Sequence, residues 1–144
     1  MRIEIRSELF DPWTEIQLHQ EVMQAKGKYG AIASFVGTMR DFNEGDRVHG
    51  MTLEHYPGMT ESHLAQIAET AHERWDLVDS LILHRVGEIK IGEPIVLVAV
   101  WSAHRVEAFD ACRFIMEDLK SKAPFWKQET LEGGKRWVEK NTPG

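Results

Sequence analysis

Ile95-Val-Leu-Val-Ala-Val-Trp101 runs into Ser102-Ala-His-Arg105 and then into Val106-Glu-Ala-Phe-Asp-Ala-Cys-Arg-Phe-Ile-Met-Glu-Asp-Leu-Lys-Ser-Lys122. The first segment is an unbroken apolar run of strand length, far short of the roughly 20 residues that span a bilayer, and reads as a central buried strand. The last segment changes period. Ala108, Cys112, Ile115 and Leu119 recur at helical spacing, and at 100° per residue Met116 and Lys120 fall within about 40° of Phe109. A buried strand followed directly by a long amphipathic helix sets a layered α+β architecture.

The end of that helix is chemically unusual. Pro124 disfavours the α region at Ala123, so the helix should stop near Lys122 and the chain should turn before Phe125 and Trp126. The turn brings Lys127 back toward Lys120, which lies at the edge of the apolar stripe. Two ammonium groups held close and partly desolvated lower each other's pKa, which makes one available as base or nucleophile near neutral pH. The plainer reading of Lys120 is a lysine at a helix C-terminus, favoured by the dipole and extending its stem along apolar surface.

Upstream, strands and helices alternate. Arg2 to Arg6 reads as an edge strand, and Asp11 caps a helix that starts at Pro12, turns Trp13, Ile16, Val22 and Met23 inward and ends at Gly27 to Gly30. Ala31 to Val36 reads as a buried strand, with Val48 to Tyr56 as its antiparallel neighbour across the polar loop Asp41 to Arg47. Leu64, Ile67, Ala68, Ala71 and Trp75 mark a second helix, Val78 to Val86 a further strand, and Gly87 to Pro94 a turn. The expected fold is α+β, helices packed on a mostly antiparallel sheet, with residues 1–144 as one domain.

Composition removes several classes of function. Net charge is -6, so nonspecific nucleic-acid binding, which needs a broad excess of Lys and Arg, is not expected. The single Cys112 allows no intrachain disulfide and no metal-binding cysteine pair, and falls on the apolar helix face as core packing. The five tryptophans read mostly as core. The seven histidines show no ligand spacing, so no metal is expected; nor is a membrane segment, and the expected compartment is the cytoplasm.

Two further segments offer anion sites. Gly37-Thr38-Met39-Arg40-Asp41 ends a core strand with a glycine that permits close backbone approach and an arginine that can hold a phosphate or carboxylate by paired hydrogen bonds. His104 and Arg105 stand at a helix N-terminus, where free N–H groups and the dipole favour an anion. Singly, each of these residues is equally readable as a surface polar group or an ion pair with Asp41 or Glu107.

Taken together, Phe35-Val36-Gly37-Thr38-Met39-Arg40, His84-Arg85-Val86-Gly87 with Ile91-Gly92-Glu93, Ser102-Ala103-His104-Arg105 and Lys120 through Glu129 resemble the large, catalytic subunit of molybdopterin synthase. The resemblance runs from the first strand to Arg136-Trp137-Val138 and is most specific at Lys120-Ser-Lys-Ala-Pro-Phe-Trp-Lys127. It implies an α/β hammerhead-like fold without a cofactor. It also implies transfer of two sulfur atoms to cyclic pyranopterin monophosphate, forming the molybdopterin dithiolene. Sulfur would come from the thiocarboxylated C-terminal Gly-Gly of a small ubiquitin-like partner, in a heterotetramer built on a homodimer of large subunits. Arg40, His104 and Arg105 would bind the cyclic phosphate and pterin, and Lys120 and Lys127 would move protons and activate the thiocarboxylate. Thr38, Met39, Gln128 and Glu129 match substrate-contacting positions, and Phe35 and Met116 would shape the pocket. A basic group from the C-terminal segment, Arg136 or Lys140, would reach the neighbouring subunit's site; Asn141 stands where some relatives carry arginine. Two other classes stay open on the residues alone: a non-catalytic module that binds a phosphorylated ligand, and a Schiff-base enzyme.

Overall fold

The computed structural model describes residues 1–43 and 45–138. In chain order the elements are β1 (Arg2–Arg6), α1 (Pro12–Met23), β2 (Ala31–Thr38), β3 (Phe42–Asn43), β4 (Asp46–His55), α2 (Met59–Arg74), β5 (Leu77–Arg85), β6 (Gly87–Lys90), β7 (Pro94–Ser102), α3 (Arg105–Lys122), β8 (Phe125–Leu131) and β9 (Gly134–Trp137). The α+β reading holds. A four-stranded sheet runs β1-β5-β7-β2, antiparallel except where β1 lies parallel to β5.

The interior strands β5 and β7 are apolar on both faces because both faces are covered. Leu81, Leu83, Leu97, Ala99 and Trp101 pack with Phe10 and the inner side of α1. Ile82, Val96, Val98 and Val100 face α2 and α3, where Leu64, Ala68, Ala111, Ile115 and Leu119 complete the larger core. Ile115 has no exposed surface, so its truncation to Ala costs about 2 to 5 kcal/mol. Met116 belongs to this core as well.

Several expectations change. In α1, Asp11 accepts from the Trp13 N–H as predicted, and Ile16 and Met23 turn inward, but Trp13 and Val22 are exposed at 63% and 79%. The helix stops before the glycines, at Gln24 in the left-handed region. Among the described residues β2 is an edge strand paired with β7 alone, which is why only Ala33, under α3, is buried. β4 does not pair with β2. It joins a second sheet, β3-β4-β8-β9 with β6 also on β4, around Met39, Val48, Met51, Leu53 and Ile89. The stretches read as the loop 41–47 and the turn 87–94 thus contribute β3 and β6, and the chain beyond Pro124 forms the hairpin β8-β9. Of the tryptophans only Trp101 is fully buried, while Trp13, Trp126 and Trp137 are exposed. Cys112 is buried as expected, and burial pushes its thiol up to about 11.

Candidate active site

The corner between α3 and β8 builds the site. Ala123 takes an extended conformation (φ -73°, ψ 131°), its N–H closing the helix on the Leu119 carbonyl, so the proline ends α3 at Lys122 as the sequence requires. The Thr60 hydroxyl of α2 donates to the Pro124 carbonyl at 3.0 Å and accepts from the Tyr56 N–H at 2.9 Å, which pins the corner from beneath. The chain then reverses into β8, antiparallel to β4 with Phe125 opposite His55 and Lys127 opposite Leu53. Strand alternation puts Phe125, Lys127 and Glu129 on one face.

Lys120 and Lys127 meet there in hydrogen-bonding contact. Burial, and then the adjacent Lys120 ammonium, lower the Lys127 pKa to about 8, with Glu129 opposing. The lowered pKa is the effect expected of two adjacent, partly desolvated ammonium groups, and it leaves a minor fraction of Lys127 neutral at pH 7.

Two cavities flank the pair. One of about 320 Å³ is bordered by Phe35, Thr38, Met39, Arg40, Asn43 and Glu129; another of about 530 Å³ lies against His84, Ser121, Phe125, Trp126 and Trp137. Lys120, Lys127 and Val138 border both.

Glu129 is buried, with 4% of its surface exposed, and is fully engaged: it accepts from Asn43 Nδ2 at 2.9 Å and from Arg136 Nε at 3.1 Å. Arg136 also donates to Asp46 at 2.6 Å and to the Asn43 carbonyl at 2.8 Å. Arg136 thus ties β9 to β8 and to the β3-β4 hairpin of its own chain. Lys140 and Asn141 lie outside the described residues.

The structure thus gathers Phe35, Thr38, Met39, Arg40, Lys120, Lys127 and Glu129. Gln128 borders neither cavity, because alternation along β8 turns it away from the lysine face and opposite Thr52 and Trp137. Met116 borders neither, being packed between α3 and the sheet. His104 and Arg105 are exposed at the opposite end of α3, about 22 Å from Lys120 at 1.5 Å per residue. Asn43, Val138 and His84 were missed as site residues. The first two approach only through the pairing of hairpins, which no local pattern in the chain reveals.

The family model described as MoaE protein matches residues 11–122. A molybdopterin synthase catalytic subunit from Ralstonia nicotianae is 60% identical over 110 residues, covering 76% of this chain and 62% of that protein. One from Pseudomonas aeruginosa is 51% identical over 140 residues, covering 96% and 91%. The crystal structure of molybdopterin synthase from Staphylococcus aureus superposes with a TM-score of 0.83 at 32% identity, covering 94% of this chain and 95% of that one. The family model ends at Lys122, while the Pseudomonas aeruginosa relative and the Staphylococcus aureus structure cover 96% and 94% of the chain, and the chain belongs to the MoaE family of molybdopterin synthase catalytic subunits.

Proposed function

We propose that this chain catalyses the sulfur-transfer step of molybdopterin synthesis. Cyclic pyranopterin monophosphate receives two sulfurs from the thiocarboxylated C-terminus of a small Gly-Gly-ending carrier. The observation that carries this reading is the placing of one lysine pair between two cavities. A donor tail and an acceptor must approach the same proton-transfer groups from different sides.

The cavity bordered by Thr38 and Arg40 suits the acceptor, whose cyclic phosphate pairs with the guanidinium. The cavity lined by Phe125, Trp126 and Trp137 suits an extended glycine tail, since flat aromatic walls pack against a backbone without side chains. Exposed Tyr56, Met59, Trp126 and Trp137 supply an apolar surface for the carrier's body. The Lys120 ammonium attracts the thiocarboxylate, whose sulfur bonds to the pterin side chain as a thioester. Water then attacks the acyl carbon, the acyl C–S bond breaks, the carrier leaves as a carboxylate, and the neutral fraction of Lys127 takes up the proton the water loses. Each thiocarboxylate holds one sulfur, so two carriers are consumed per product. A reducing cytoplasm suits such a donor.

His104 and Arg105 enter this scheme from a second copy. The outer edge of β2 is unpaired among the described residues. Antiparallel pairing of two β2 edges about a two-fold axis sets the Ala31 end of one copy beside the Thr38 end of the other. Ala31 lies opposite Ser102, just before His104, so the partner's anion-binding turn arrives beside Arg40.

Reconstitution tests the reaction. Thiocarboxylated carrier with this chain should convert the cyclic substrate to the dithiolene, and a carrier whose last glycine is replaced by Phe should not. Product from the carboxylate form of the carrier, or full turnover with the Phe form, would refute the assignment.

A further inference from the structure

His84 is the penultimate residue of β5, where that strand passes under the lysine corner. It is buried, with 2% of its surface exposed, opposite Ile5 of β1 and Val96 of β7. It follows Ile82 on the face turned to α2 and α3, a setting in which Leu or Phe would fill the space without a polar atom to satisfy. The imidazole stacks on Phe125, with centroids 3.8 Å apart and planes 15° apart. Nδ1 lies 2.8 Å from the Arg85 carbonyl. A carbonyl only accepts, so Nδ1 carries the hydrogen and Nε2 keeps a lone pair. The ring borders the aromatic cavity together with Lys120 and Lys127.

We infer that His84 is a positioning residue for the lysine pair, its Nε2 lone pair accepting an N–H of Lys120 or Lys127 so that the neutral amine's lone pair is aimed into the cavities. The inference rests on the proposed role of those lysines.

The surroundings agree. The charged or titratable groups around the ring are Lys120 from α3, Lys127 from β8 and His55 from β4, with Glu129 further along β8 acting on Lys127. Burial first, and then the two lysines and His55, hold the His84 pKa at about 3. The imidazole is therefore neutral throughout the working range. It can accept from an ammonium without adding a third positive charge to the pair. A carboxylate at this point would anchor an ammonium more strongly and raise the Lys127 pKa back toward its ordinary value.

The test compares His84→Phe, which keeps the stack and loses the acceptor, with His84→Gln, which keeps an acceptor near the position of Nε2. In the complete complex with thiocarboxylated carrier, His84→Phe should lower kcat by about 10-fold or more with KM within about twofold. The acid limb of its pH–rate profile should move to lower pH by about one pH unit, because the ammonium has lost an acceptor. His84→Gln should recover much of both. Wild-type kcat and profile in His84→Phe would overturn the inference, as would a loss shared equally by both variants and tracking Tm.

A second measurement needs neither substrate nor a folded His84 variant. Nitrogen-15 NMR of the wild-type ring should show Nδ1–H with an unprotonated Nε2 whose resonance moves in Lys120→Ala or Lys127→Ala. An Nε2–H tautomer, or a resonance indifferent to both lysines, would overturn the inference while leaving the proposed reaction standing.

Discussion

Lys127 weakens the fold at the point where the proposed chemistry needs it. Its pKa is lowered from 10.5 to about 8 in the folded chain, so between those values the unfolded state binds more protons and stability rises with pH. Below pH 8 the buried charge costs stability, on the order of 3 kcal/mol at 1.36 kcal/mol per pH unit of displacement. Lys127→Met should therefore be more stable than the parent at pH 7, with the difference closing between pH 8 and 10.5, as read by urea unfolding at both ends. Sulfur transfer should fall by about 10² or more in that variant and in Lys120→Ala. Lys122→Ala should stay active, because Lys122 is exposed on Asp118, about 200° around the helix from Lys120. Equal activity in all three variants would remove the lysines from the mechanism.

At the scale of elements, the site is a junction of two hairpins and a helix end, and Arg136 is the tie between the hairpins. It links β9 to the buried Glu129 of β8 and to Asp46 and Asn43 of the β3-β4 hairpin, closing one wall of the smaller cavity. Arg136→Ala should speed amide hydrogen exchange at Asn43 and along β8-β9 while leaving β5 and β7 protected. Unchanged exchange in the hairpins would mean that backbone pairing alone holds the wall. The core strands, the three helices and the break at Pro124 were legible because period and proline act locally. The second sheet was not: β3 and β6 are short, β8 carries Lys127, Gln128 and Glu129 where an apolar alternation would be sought, and its pairing with β4 is long-range, joining Val48 to Leu131 and His55 to Phe125. The lysine pair could be read because both residues flank one corner. The separation of His104 and Arg105 from it was implicit in the helix length, since they open the helix whose last turn carries Lys120.

For the whole molecule, that separation is the main constraint. If a second copy supplies His104 and Arg105, then Lys120→Ala and Arg105→Ala, each inactive alone, should complement when mixed. Random exchange at equal amounts leaves about a quarter of sites with both groups intact, so activity should recover to about that fraction. No recovery after verified exchange of subunits would place His104 and Arg105 outside the site. The same β2 edge has a second consequence. Without a partner it presents unpaired backbone beside exposed Ile32 and Phe35, a surface that templates aggregation. Dilution would then act twice, dismantling the reaction centre and releasing a sticky protomer, so loss of activity on standing at low concentration would be accompanied by turbidity rather than by a clean, reversible decline.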